Sequence, residues 1–229
     1  MRSKSFKQVV TVVIALAAAL FVVACGDNSD SDSNANVNSQ GLDVNGCKPA
    51  KRPPAKTVSL KKPKKALDPA KDYFVDFKTN CGDFTVKLDV ENNPKTAASF
   101  AQLATAGVYD DTWFHRIVAD FVIQGGDPAG TGTGDAGYKV VERPRGKYKI
   151  GTVAMAKAGN EPPGSSGSQF YVVTGQQGVS LPPEYAIAGR VTDGDETVQI
   201  IAGYAGGATG EAGKPSGAAV VKKAVLRTR

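Results

Sequence analysis

Residues able to do covalent or metal chemistry are scarce in this chain. Among 229 residues there is one histidine, His115, and there are three cysteines, Cys25, Cys47 and Cys81. One imidazole rules out a multi-histidine metal site. Three thiols are too few for a Cys-rich zinc module or a disulfide scaffold. With no second histidine and no nucleophile beside it, His115 reads as a packed or hydrogen-bonded structural residue rather than a general base or a ligand. Arg116 next to it is a permanent cation, and in isolation it reads as half of a surface ion pair. Strand alternation from Gln169 turns Phe170 inward and leaves Gln169 and Tyr171 together on one face. Gly125-Gly126 and the glycines of 130–137 read as turns, because no Lys-Ser/Thr pair follows as a phosphate loop requires.

The cysteines point to export. Arg2, Lys4 and Lys7 form a positive start, Val9–Ala24 is apolar except for Thr11, and small Ala24 precedes Cys25. These are the parts of an export signal, and the apolar run is short for a membrane-spanning helix. Val22-Val23-Ala24-Cys25-Gly26 resembles a bacterial lipoprotein box. That resemblance implies that residues 1–24 are removed and that Cys25 carries lipid. The protein would then be held at the cell membrane, facing outside the cytoplasm. Residues 25–66 read as a flexible stalk. Its first part is rich in Asp, Asn and Ser, and its second holds eight Lys/Arg and no acid between Lys48 and Lys65. The lysine run reads as a solvated spacer, with contact to anionic lipid or cell-wall polymer as the alternative. Cys47 and Cys81 are an even pair in an oxidising setting, so a disulfide between them is expected, with two free thiols as the alternative.

The elements that must position the chemistry lie in residues 67–229. Tyr73–Phe77 and the alternating run Phe84–Asp89, with Asn80–Asp83 between them, read as a hairpin. Asn93-Pro94 reads as an N-cap followed by proline at the first helical position, and Ala97, Phe100, Leu103 and Ala104 follow at helical spacing. Short strands are expected at Phe114–Val118, Phe121–Gln124, Thr152–Ala156, Gln169–Val173, Ala186–Val191 and Ala219–Leu226, with a second helix near Asp195–Ala202. The pattern is mainly β, a closed antiparallel barrel capped by two helices. Hydrophobic residues make up 41% of the chain, enough for a core. Without Arg2, Lys4 and Lys7, 25 basic residues face 22 acidic ones, a net of +3 that argues against a nucleic-acid partner.

Two blocks carry a family resemblance. One is Phe114-His115-Arg116-Ile117-Val118-Ala119-Asp120-Phe121-Val122-Ile123-Gln124-Gly125-Gly126-Asp127. The other is Gly151-Thr152-Val153-Ala154-Met155-Ala156 followed by Gly167-Ser168-Gln169-Phe170-Tyr171-Val172. Both resemble the signature segments of the cyclophilins, the peptidyl-prolyl cis/trans isomerases, and the likeness runs over about Tyr73–Leu226. It implies a closed eight-stranded barrel with a helix at each end and a substrate groove on its outer face. By the same resemblance Arg116 is the catalytic arginine. Phe121, Val122, Tyr171 and Leu181 line the proline pocket, and Gln124 and Gln169 hold peptide backbone or the arginine. Ala156 and the backbone of Lys157 form the rim, and Ser180 and Tyr185 take two further groove positions. Ser180, Tyr185, Tyr171 and the long loop Gly159–Ser166 depart from the usual pattern.

The implied reaction needs no cofactor and no metal. Rotation about an X-Pro bond faces a conjugation barrier of about 18–20 kcal/mol, and no bond is broken. An apolar pocket grips the proline ring while a fixed cation donates hydrogen bonds toward the twisting amide. The expected partners are proline-containing polypeptides and, through the lipid, the membrane. The protein is expected to act as a monomer. A proline-peptide-binding module of the cell envelope without useful turnover is the alternative function.

Overall fold

The computed structural model describes residues 38–206 and 213–229. The leader, Cys25 and the first part of the Asp/Asn/Ser stretch lie outside the described residues. Two strands open the domain, β1 (Tyr73–Thr79) and β2 (Gly82–Leu88), paired antiparallel so that Phe77 faces Phe84. Their rings stack with centroids 4.8 Å apart. The turn needs Gly82, whose φ of +118° is costly for any residue with a Cβ.

Helix α1 (Pro94–Thr105) starts at proline as expected, but Asn93 does not cap it with its side chain. The Asn93 amide donates to Asp89 instead. The free N–H groups of Lys95 and Thr96 are taken by the Glu142 carboxylate, at 3.1 and 2.9 Å. A carboxylate at this end also suits the helix dipole.

The remaining elements are β3 (Thr112–Trp113), β4 (Arg116–Val118), β5 (Val122–Gly125), β6 (Val140–Val141), β7 (Thr152–Met155), β8 (Ser165–Ser166), β9 (Phe170–Val173), α2 (Gln176–Val179), β10 (Ile187–Asp193), α3 (Asp195–Ala202) and β11 (Val220–Thr228). Nine strands form one antiparallel sheet in the order β3-β11-β1-β2-β10-β7-β9-β5-β4, and β6 pairs separately with β8. The mainly β architecture is as expected, but the closed eight-stranded barrel is not. The sheet is a curled, open half-barrel of nine strands, whose end strands β3 and β4 do not pair with each other. Only Phe114 and His115 separate these two strands in the chain, so covalent linkage takes the place of a closing ladder. The helix count also differs. Beside α1 and α3 there is the one-turn α2, too short to leave a periodic signal.

The sheet separates two clusters. On its inner face Phe77, Phe84, Phe100, Tyr109, Phe114 and Phe170 are almost wholly buried among Ile117, Ile123, Met155 and Val172. On its outer face Val122, Ala154, Tyr171 and Val173 pack with Tyr148 and Ile187. Within β9, Phe170 and Val172 go inward while Tyr171 and Val173 go outward, the period-2 alternation of a strand.

The Lys/Pro segment expected to belong to a flexible stalk lies against the domain instead. Cys47 is buried and disulfide-bonded to Cys81 in the β1–β2 turn, with Cα atoms 4.1 Å apart. Lys48 N–H donates to Asn80 O at 2.8 Å, and Val58 and Leu60 pack on the core. Composition misleads here because most of the lysine heads, Lys56 excepted, stay in solvent, while the backbone donors and aliphatic residues between them find partners. Among the described residues no helix is long and apolar enough to cross a membrane.

Candidate active site

The outer-face cluster floors a groove of about 220 Å³. Its lining holds Arg116, Phe121, Val122, Gln124, Ala156, Lys157, Tyr171, Leu181 and Tyr185. Of the eleven residues that the resemblance suggested for the groove, nine are in that lining; Ser180 is outside it, and so is Gln169. It sits one hydrogen bond away and lines the neighbouring cavity of about 300 Å³. Ser180 is not at the groove. It ends α2, exposed, with its hydroxyl donating to Gln176 O at 3.1 Å.

Each polar side chain is delivered by a strand. Arg116 on β4 is opposite Gln124 on β5, and Gln124 is opposite Tyr171 on β9. Gln124 Nε2 donates to Gln169 Oε1 at 3.0 Å, and Gln169 Nε2 donates to the carbonyls of Gly132 and Gly134 at 3.0 and 2.9 Å. With its amide so oriented, Gln124 turns Oε1 toward Arg116 Nη1, at 3.5 Å. The guanidinium lies 5.5 Å from the Phe121 ring centroid. Among the described residues no carboxylate lies within salt-bridge distance of it. Partial burial lowers its pKa from the ordinary arginine value, yet arginine remains charged at neutral pH. The site therefore holds a partly desolvated cation, with donors that no described residue takes up, above an apolar floor.

The opposite wall is held by residues the sequence reading passed over. Tyr148 Oη accepts from Tyr185 N–H and donates to Tyr185 O, both at 2.9 Å, which clamps the 182–185 turn. Lys157 contributes more than backbone. Its side chain is 4% exposed, and Nζ lies 3.1 Å from Glu184 Oε2 and 5.5 Å from the Tyr185 ring centroid. Among the described residues the buried Tyr171 hydroxyl has no partner in good hydrogen-bond geometry, and desolvation, with the neighbouring Tyr148 and Tyr185, drives its pKa well up. A hydroxyl in that state gives nothing back for its lost hydration, so Tyr171→Phe is expected to keep activity and hold or raise the melting temperature. Thermal melts beside exchange rates check this.

Asp127, noted in the sequence only as the last residue of the first signature block, organises the loop that supports Gln169. It is fully buried and accepts from the N–H groups of Ala129, Thr131, Gly132 and Gly134. Burial pushes its pKa up, but the bonds from Gly134, Ala129 and Gly132 outweigh that and hold it below 3.8. A carboxylate depressed on folding stabilises the native state above its unfolded pKa, and that stability is lost as pH falls through the lower, native value. Wild-type melting temperature should therefore drop through the acid range below about pH 4, and Asp127→Asn should be less stable at neutral pH with a shallower acid limb. Melts across that range test it.

His115 is mostly buried, neither ring nitrogen has a hydrogen-bond partner among the described residues, and burial lowers its pKa below 6.5. No group of three or more His, Cys, Asp or Glu among the described residues could hold a metal ion.

On the outer face of a curled antiparallel sheet, the Arg116 guanidinium, with no carboxylate partner among the described residues, and the Gln124 amide thus stand beside the apolar side chains of Phe121, Val122 and Leu181. The family model for cyclophilin-type peptidyl-prolyl cis-trans isomerases matches residues 74–225, and the chain belongs to that family. It is 34% identical over 148 residues to a peptidyl-prolyl cis-trans isomerase of Helicobacter pylori, covering 62% of this chain and 84% of that protein. It is 39% identical over 131 residues to the isomerase CYP18-2 of Arabidopsis thaliana, covering 55% and 77%. A crystal structure of a Cryptosporidium parvum cyclophilin-type isomerase superposes with a TM-score of 0.61 at 32% identity, over 68% of this chain and 98% of that one. A second structure of the same protein, solved in the presence of the dipeptide Ala-Pro, gives 0.60. The protein is a cyclophilin-type peptidyl-prolyl cis-trans isomerase.

Proposed function

We propose that this isomerase acts on X-Pro bonds of exported proteins during folding, tethered outside the cytoplasm by lipid on Cys25, with Arg116 as its catalytic cation. The observation that carries the catalytic part is Arg116 itself, partly buried, free of any described carboxylate and lining a groove together with Phe121, Val122 and Tyr171. The apolar floor takes the proline ring. Arg116 donates toward the amide as it leaves planarity, and a bond to the proline nitrogen lone pair opposes conjugation. Gln124 and Gln169 hold the guanidinium and the peptide backbone. Water, nucleophile and cofactor have no step to perform.

Exchange between cis and trans peaks of a proline peptide, followed by NMR, tests the activity. Binding without exchange would replace the enzyme by a peptide-binding module. Phe121→Ala is expected to act on binding, since it removes half-buried apolar contact worth about 1–2 kcal/mol, or roughly 5–30-fold in peptide affinity. For the tether, the support is the leader and the Val22–Gly26 motif. Intact mass of the membrane fraction should show a protein beginning at a diacylated Cys25, and Cys25→Ser should abolish membrane partitioning. An unmodified Cys25 or a different N-terminus would refute it.

A further inference from the structure

The strap that runs from Cys47 along the domain meets the same loop that holds Gln169. The disulfide to Cys81 fixes its start. Arg52 lies 4.3 Å from the Trp113 ring centroid, and Lys56 Nζ donates to the carbonyls of Gly107 and Asp110. Two backbone bonds then land on the two feet of the 127–137 loop. Lys56 N–H donates to Pro128 O at 3.0 Å and Leu60 N–H to Ala136 O at 2.8 Å. Between those feet, Gly132 O and Gly134 O accept from Gln169, Gln169 accepts from Gln124, and Gln124 faces Arg116. Asp127 sets the shape of the loop from within. The strap holds its feet from outside, through a segment that is absent from the 74–225 family match.

We propose that Lys56 and Leu60 are positioning residues for Arg116, acting through the 127–137 loop and Gln169, and that the Cys47–Cys81 disulfide makes this positioning redox-dependent. Reduction frees the start of the strap. The loop feet lose their outside donors, the two glycine carbonyls shift, and the glutamine pair no longer holds the guanidinium in one place. The proline pocket does not depend on this route, because Phe121, Tyr171 and Leu181 lie on other segments. The expected signature is thus a fall in turnover with little change in peptide affinity. The inference rests on Arg116 being the catalytic cation.

The test uses the full chain in two forms that loosen the strap: Cys47→Ser with Cys81→Ser, and Lys56→Pro, which deletes the N–H donated to Pro128. Amide exchange at Leu60 reports strap release, and melts report folding. Each form should lower kcat roughly 3–10-fold, the size of one or two lost hydrogen bonds, with KM within about twofold. In a Gln169→Leu background the same changes should cost little more, because the route is already cut. If Lys56→Pro does not fold, the disulfide variant and wild type titrated with reductant carry the measurement. Strap release with unchanged kcat, or the same loss in both backgrounds, would overturn the proposal, since a merely structural strap gives those results. Arg116→Ala run alongside separates the failures. If it keeps the wild-type rate, the arginine reading falls. If it alone loses rate, only the strap proposal falls.

Discussion

Arg116→Ala is expected to cut catalysed X-Pro exchange by about 100–1000-fold, equivalent to roughly 3–4 kcal/mol, as for a single preorganised donor lost from a transition-state site. The size follows from where the cation stands. Its guanidinium is half-buried against the Phe121 ring, so a hydrogen bond it makes is less diluted by water than one at an open surface. No described carboxylate consumes its charge. Its donors act most strongly on the twisted amide, where the proline nitrogen regains a lone pair, so the loss falls on turnover rather than affinity. Arg116→Lys should rescue poorly, because an ammonium lacks the planar fork that can keep one donor on Gln124 and aim another at substrate. Exchange spectroscopy with a proline peptide gives the rate, and peptide titration gives affinity. Near-wild-type exchange in a folded Arg116→Ala protein would refute the assignment.

Much of this site was legible in the sequence because its residues sit on strands with clear alternation. Alternation from Gln169 sends the Phe170 ring inward and Tyr171 outward to the groove, and the structure keeps that division, with Gln169 in the cavity next to the groove. What stayed hidden depends on partners far away in the chain. Glu142 caps α1 from 46 positions beyond Thr96. Asp127 is only the end of a signature block until four N–H groups converge on it. Gly126 shows why that turn must be glycine: it has φ +77°, and a Cβ there would lie 2.6 Å from Ser168 O. The strap was misread for a related reason. Lysine and proline content describes the solvent-facing heads, whereas Cys47, Lys56 N–H and Leu60 N–H decide where the segment lies. Strands β6 and β8 are two residues each, too short for any period. Sheet closure is a matter of register at β3 and β4, which strand count alone does not determine.

The largest stability effect is expected from Phe170→Ala, about 3–5 kcal/mol for removing a buried aromatic side chain from a close-packed core. Phe170 is 1% exposed, and its ring meets those of Phe77, Phe100, Tyr109 and Phe114 with centroids between 5.2 and 6.1 Å. Those partners come from β1, α1, the α1–β3 turn and the β3–β4 link. The cavity therefore opens where four parts of the fold meet, and none of them can collapse into it without dragging its own element. Such a loss is a large share of the roughly 5–15 kcal/mol that holds a domain folded. For a domain of this size it should lower the melting temperature by roughly 6–20 °C. Phe170→Leu should cost much less, because most of the volume remains. Phe170 faces away from the groove while Tyr171 beside it lines the groove and Gln169 lines the neighbouring cavity, which sets the prediction apart from Arg116→Ala. At a temperature where the variant is still folded, its exchange rate per folded molecule should stay within a few-fold of wild type. Calorimetry with exchange rates measured at low temperature decides the matter. A variant that melts like wild type would show that the aromatic cluster repacks, and one that melts low with exchange lost even when folded would show that core and groove are not energetically separate.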